Sequence, residues 1–327
     1  MINVRVLAHR IRRLAVTTVA ATAGLALLAA CGDSSGTAAA GVAAKPGAAA
    51  KSPAIPTEDV VSSVVTDPAL KAKLPAGVRR SGTLTLGTTF NPGTAGLPHG
   101  GETPDGTKVG LDVDLRNAVA KVLGISWRVQ NGTFATVIPG VQNGKYDVGQ
   151  DNFGVTRARE KVVDFATYLN DGQSFLGSKD IKINKVTGLT DLCGLTVATT
   201  PGSTFQQILT DGASKCAAAG KKPYRVQYFA DAAPIFLGLA NGKVDVMFGP
   251  TLGLRYDARQ VPDTKYLGEI STTPVGFVTA RKSPVAGALS AAVNKLIANG
   301  DYAKIFRKWQ VPGTGIGKSA VNPPPTF

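Results

Sequence analysis

Asn143-Gly-Lys-Tyr-Asp-Val148 returns 98 positions later as Asn241-Gly-Lys-Val-Asp-Val246. The residues before the two copies match in kind, Val137-Ile-Pro-Gly-Val141 in one and Ile235-Phe-Leu-Gly-Leu239 in the other. Each copy reads as an apolar helical face that stops at Asn-Gly, where glycine accepts the left-handed C-cap conformation, and then as a short apolar strand. A chance recurrence of a common helix stop is the plainer explanation. The flanking pattern recurs as well, however, so two similar α/β lobes are expected.

Outward from the first copy, Gly82-Thr-Leu-Thr-Leu-Gly87 alternates like a strand, and Leu111, Leu115, Ala118, Val119, Val122 and Leu123 keep helical spacing up to Gly124. Strand 125–130, helix 135–143 and strand 146–150 then complete a β-α-β-α-β order, which predicts a parallel sheet with short crossovers. The second copy sits in the same order: strand 195–199, an apolar helix after Phe205, strand 224–229, helix 232–239 and strand 244–248. A strand at 275–279 follows, and then two helices carrying Leu289, Val293 and Leu296, and Tyr302, Ile305, Phe306 and Trp309, whose aromatics read as core.

The N-terminal segment is of another kind. Arg5, Arg10, Arg12 and Arg13 precede an uncharged run, 14–28, that is short for a membrane span and closes on Leu28-Ala-Ala-Cys31. This resembles the lipobox of bacterial lipoproteins, with residues 1–30 a signal peptide and Cys31 the lipidated N-terminus; a plain secretory signal or an uncleaved anchor is the alternative. Residues 31–80 then form a tether, too poor in large apolar side chains to fold as far as about residue 56, and a lead-in with a short helix. In an exported chain Cys193 and Cys216 are expected to form a disulfide, which contributes roughly 3 kcal/mol in the chain-entropy view. Two buried thiols are the alternative, and no cysteine–histidine spacing suggests a metal. The chain has 36 basic and 22 acidic residues, with four of the basic ones in the signal. These charges are scattered and not interleaved with aromatics, which argues for a solvated surface and against nucleic acid.

In α/β sheets ligands sit at the carboxyl ends of strands. That rule points to Thr88 and Thr89 and to residues 150–154. Thr156 suits a helix N-cap, yet Arg157 and Arg159 fall in the first turn, where the helix dipole disfavours cations. A bound carboxylate would resolve the conflict; two solvated arginines are the alternative. Thr200-Pro-Gly-Ser-Thr-Phe205 runs into a second helix start of the same anion-cradling kind.

VGLDVDLRNAVAKVLG, FATVIPGVQNGKYDVG, the T-x-x-R run 156–159 with VVDFATY, DLCGLTVATTPGST, LANGKVDV and LIANGDYAKIFRKW together resemble the family 3 extracellular solute-binding proteins, the polar amino acid binding subunits of ABC importers. The resemblance covers about 82–311. It implies a two-lobed α/β periplasmic-binding-protein-like fold (type II), each lobe a central sheet flanked by helices, joined by two hinge crossovers near 175–182 and 270–275. The lobes would be 81–176 with the return 274–311, and 177–273, before a tail at 312–327. By the family's motifs Arg159 matches the carboxylate clamp, Asn152 and Gly154 its helpers, Phe134 a covering aromatic, and Gly202, Ser203 and Thr204 the donors of the second lobe. One position departs. Where the family usually carries an aspartate for the ligand ammonium, this chain has Pro250, and Asp151 is the nearest substitute; the loop NPGTAGLPHGGE also replaces the usual Pro-aromatic pair.

The implied function is that of a non-catalytic, monomeric lipoprotein on the outer face of the cell membrane, without cofactor. It would capture a small carboxylate-bearing ligand for an ABC permease and its ATPase. A sensing lipoprotein and a cyclohexadienyl-dehydratase-like enzyme are the alternatives. His9 falls in the signal, and His99 is then the one histidine of the mature chain, which disfavours histidine chemistry.

Overall fold

The computed structural model describes residues 55–89, 92–94 and 96–326; the expected signal peptide, Cys31 and most of the tether lie outside them. Two short helices, α1 (Pro68–Ala72) and α2 (Ala76–Ser81), lead into β1 (Thr83–Thr89), a small ribbon of β2 (Gly101–Glu102) and β3 (Lys108–Val109), α3 (Leu111–Leu123), β4 (Ser126–Gly132), α4 (Phe134–Gln142), β5 (Val148–Gly149), α5 (Arg157–Glu160) and the long β6 (Val163–Ser178). The second half comprises β7 (Thr196–Thr199), α6 (Thr204–Asp211), α7 (Lys215–Ala218), β8 (Arg225–Tyr228), α8 (Ala232–Ala240), β9 (Val246–Pro250) and α9 (Thr251–Gln260). A second long strand, β10 (Thr264–Ala280), returns the chain to α10 (Pro284–Asn299) and α11 (Asp301–Lys308).

The strand order β4-β1-β5-β10-β6-β9-β7-β8 reads nearly the same from either end. β1 is parallel to β4 and β5, β7 is parallel to β8 and β9, and each trio is closed by an antiparallel strand, β10 in one half and β6 in the other. The expected parallel sheets are therefore mixed, because the crossover strands add to them antiparallel.

The repeated hexapeptide folds the same way twice. Gly144 and Gly242 take φ of 77° and 71°, the left-handed values that the Asn-Gly stops predict. Asn143 and Asn241 each accept from the backbone N–H two residues on, at 3.1 Å. Asp147 Oδ2 accepts from Thr85 N and Asp245 Oδ2 from Thr196 N, both at 2.7 Å, so one carboxylate registers the central strand of each half. The helix glycine before each copy is also needed. A Cβ on Gly140 would stand 2.4 Å from the Tyr146 ring, and one on Gly238 2.7 Å from Val244.

Each half of the sheet is covered on both faces. The stripe of α3, buried throughout, packs with α10 and α11 on one side of the first half, while Val137 and Val141 of α4 pack with Tyr146 and Phe153 in a separate cluster. In the second half Leu192, Leu209 and Cys216 form one cluster and Ile235, Leu239 and Leu254 another. Cys193 and Cys216 are bonded, their Cα atoms 5.6 Å apart, as the cysteine count anticipates.

β6 and β10 pair along nearly their whole length and carry the chain between the halves. β10 meets β5 at Val278 and Thr279, whereas β6 meets β9 from Gln173 onward. β6 has joined the second half by Gln173, and Phe175 pairs with Phe248; the stretch of β6 just before that, 169–173, faces 271–275 of β10.

Both flanking segments dock on the first half. Val60, Val64 and Leu74 join the core of Leu123 and Leu296, and Lys295 pairs with Asp67 at 3.2 Å. At the other end Thr167 N donates to Ala320 O at 3.0 Å and Asn322 Nδ2 to Asp164 at 2.9 Å.

Asp147→Ala and Asp245→Ala each remove the acceptor of a strand N–H. Each is expected to lower the free energy of urea unfolding by about 1–3 kcal/mol; unchanged midpoints would rule out this role for the repeated aspartates.

Candidate functional site

A cavity opens where four strands end: Thr89 at the end of β1, Asp151 and Asn152 after β5, Thr200 after β7 and Pro250 at the end of β9. Seven of the nine residues expected at a ligand site line it: Thr89, Phe134, Asp151, Asn152, Gly154, Ser203 and Thr204. Arg159 and Gly202 are not in the wall. They meet each other at its border, because the backbone carbonyls of Gly154 and Gly202 take the two terminal nitrogens of Arg159.

Arg159 is set by its short helix. Thr156 is the N-cap and accepts from Arg159 N at 3.2 Å. Nη1 donates to Gly154 O at 2.9 Å and Nη2 to Gly202 O at 3.0 Å, so one guanidinium bridges the two halves. Phe134 and Phe153, in contact with each other, hold the guanidinium carbon 5.5 and 5.6 Å from their ring centres. Burial lowers the group to about 10, with the Asp151 charge acting in the other direction. It stays cationic at neutral pH, and no carboxylate among the described residues pairs with it. The halves approach closely here: a Cβ on Gly154 would meet Thr273 at 3.1 Å and Thr204 at 3.5 Å. Ser203 serves as the N-cap of α6, accepting from Gln206 N at 3.1 Å and donating to Thr200 O at 2.6 Å.

Asp151 Oδ1 accepts from Thr89 Oγ1 at 2.7 Å, while its other oxygen is buried without a partner. Burial pushes this carboxyl up to about 7, against the Thr89 bond. Asn152, at a left-handed φ of 53°, donates to Asp171 Oδ2 at 2.8 Å and leaves its own carbonyl oxygen buried and free.

Several wall residues were not expected from the sequence. His99 Nε2 lies 3.2 Å from Asp171 Oδ2, and Asp112 Oδ2 stands 3.4 Å from Nδ1, inside ion-pair range but off the line of a hydrogen bond. Burial alone opposes the imidazolium; Asp112 and Asp171 override it and raise the group from 6.5 to about 10. The signal was the unusual loop before β2, but a lone loop histidine points nowhere without its partners. Asp112 reads as a solvated first-turn helix acid, whereas 7% exposure makes it part of the wall. Asp231 and Asp257 line the second half of the cavity. Among the described residues the lining thus holds five aspartates, one histidine and neither lysine nor arginine, in a protein of formal net charge +14.

The sequence profile of the bacterial extracellular solute-binding proteins, family 3, matches residues 94–312. The chain belongs to this family. An arginine-binding protein of Corynebacterium glutamicum is 27% identical to this solute-binding protein over 271 residues, 80% of this chain and 86% of the relative. Among solved structures, an ancestral arginine-binding protein bound to arginine aligns with TM-score 0.61 and 30% identity, covering 70% of this chain and 98% of its own. An ancestral amino acid-binding protein described as a precursor of cyclohexadienyl dehydratase aligns with TM-score 0.62 and 26% identity, covering 71% and 97%. These neighbours share the type II two-lobed fold with this binding protein.

The His99 imidazolium contributes stability that is complete below 6.5 and is lost as pH rises through about 10. His99→Leu is expected to cost about 3–5 kcal/mol at the low end of that window, since it leaves two buried carboxylates without their cation. The gap to the wild type should narrow as the pH rises. Calorimetry across the window checks both, and a pH-independent gap would contradict the assignment.

Proposed function

We propose that the protein is the extracytoplasmic receptor of an ABC importer, anchored to the outer face of the membrane through lipid on Cys31. It captures an amino acid or derivative between a lobe of 81–176 with 274–311 and a lobe of 177–273, and delivers it to a permease and ATPase. The single observation that carries this reading is Arg159, a half-buried cation with no carboxylate partner among the described residues, whose two hydrogen bonds go to backbone carbonyls of opposite halves. A ligand carboxylate is a stronger acceptor than either carbonyl, and the forked guanidinium can bind it at two points. Gly154, Ser203 and Thr204 stand at the same junction, and Phe134 covers the guanidinium.

With Pro250 at the usual acidic position, the ligand ammonium falls to Asp151, whose free oxygen needs a donor. The ion pair would return to that carboxyl the charge that burial discourages. Ligand binding then favours the closed arrangement, which a permease can recognise. Among the described residues no helix is long and apolar enough to cross a membrane.

Titration calorimetry with a panel of α-amino acids tests the reading. At least one is expected to bind, and Arg159→Ala should weaken it about 30-fold or more; retained affinity would remove the clamp. Because Asp151 must ionise from about 7, affinity for the same ligand should rise with pH up to that value and level off above it. Asp151→Asn should flatten that profile, and a profile that persists in the variant would refute the ammonium role.

A further inference from the structure

α9 presents one stripe to the cavity. Pro250 at its N-cap, Gly253, Leu254 and Asp257 all line it, at the three- and four-residue spacing of a helix face. Asp257 lies seven residues beyond Pro250, about 10 Å of helix rise, and so well away from the strand ends where Arg159 and Asp151 stand. It is 4% exposed, and among the described residues no side chain or backbone donor reaches its carboxylate. Burial, with nothing to oppose it, raises this carboxyl to about 8. An acid buried without a partner, and facing a cavity, lacks a cation.

The surrounding wall says what kind. Ile235 and Met247 face the cavity together with Leu254 and are buried, providing an apolar sleeve suited to methylene groups. Asp231, the N-cap residue of α8, adds a second acid on this side without using its side chain as a cap. An apolar sleeve ending at an unpartnered carboxylate matches an arm of methylenes with a cationic head.

We propose that Asp257 is the counter-charge for a second cationic group, so that the cleft takes an amino acid whose long aliphatic arm ends in an amine or a guanidinium. The inference rests on the reading of the cleft as an amino acid site, and it assigns the distal end of that site to α9. The ligand arrives with two positive groups and one negative. Arg159 takes the carboxylate, Asp151 the ammonium and Asp257 the distal head.

Arginine and citrulline have the same shape apart from the terminal group, charged in one and neutral in the other. Calorimetry on the mature protein should show arginine bound about 30-fold or more tightly than citrulline. Asp257→Asn should bring the two within about threefold, chiefly through loss of arginine affinity. Removal of a desolvated acid should leave the ligand-free melting temperature equal or higher, which separates a binding defect from a folding one. Asp257→Glu should keep a preference for arginine. Equal affinities in the wild type, or a preference that survives Asp257→Asn, would overturn the distal site while leaving the amino acid reading intact. If arginine, citrulline and the other α-amino acids all fail to bind the wild type, both readings fall.

Discussion

The carboxylate of Asp171 ties the molecule together at its narrowest place. It sits in β6 where the strand passes from one half to the other, and it accepts from four groups: its neighbour Gly172 N and Leu252 N of the second half through one oxygen, His99 and Asn152 of the first half through the other. Charge-assisted bonds of this kind are stronger than neutral ones. The cavity lies against this junction. Its first wall is oriented by His99 and Asn152, its second by the start of α9, and all of them refer to one side chain.

Electrostatics inside the cleft run against the protein as a whole. The chain is basic, yet among the described residues the cavity collects aspartates and holds one cation at its border and one imidazolium inside. The acids differ in how they are supported. Asp171 is fully bonded, Asp151 half-bonded and Asp257 unbonded, and the carboxyls of the latter two are raised accordingly. A wall that ranges from satisfied to unsatisfied carboxylates distinguishes structure from capacity to bind, since it is the unsatisfied groups that gain by meeting a ligand.

The fold was legible in the sequence where local chemistry and tertiary structure agree. The Asn-Gly stops, the stripe of α3 and the short apolar strands all rest on cues within a few residues, and they appear within two or three residues of the expected bounds. β6 was not legible. Asn170-Asp171-Gly172 has the composition of a turn, yet it lies mid-strand because β10 pairs across it and the Asp171 side chain has partners far away in sequence. β10 was seen only at its last residues for the same reason. In the site, the residues that follow strand ends were found, because the carboxyl-end rule needs topology alone. His99, Asp112 and Asp257 were missed, since each is an ordinary polar residue until the fold removes its water. Pro250 shows both sides: its departure from the family pattern could be read, but the acid farther along the same helix could not be placed without the helix face.

Both ends of the described chain are fastened to the same half, the lead-in through Val60 and Val64 and the tail through Ala320 and Asn322. Tension applied between those ends is therefore borne by the first half alone. The second half hangs from β6 and β10, outside the load path, and can swing without slackening or tightening either attachment.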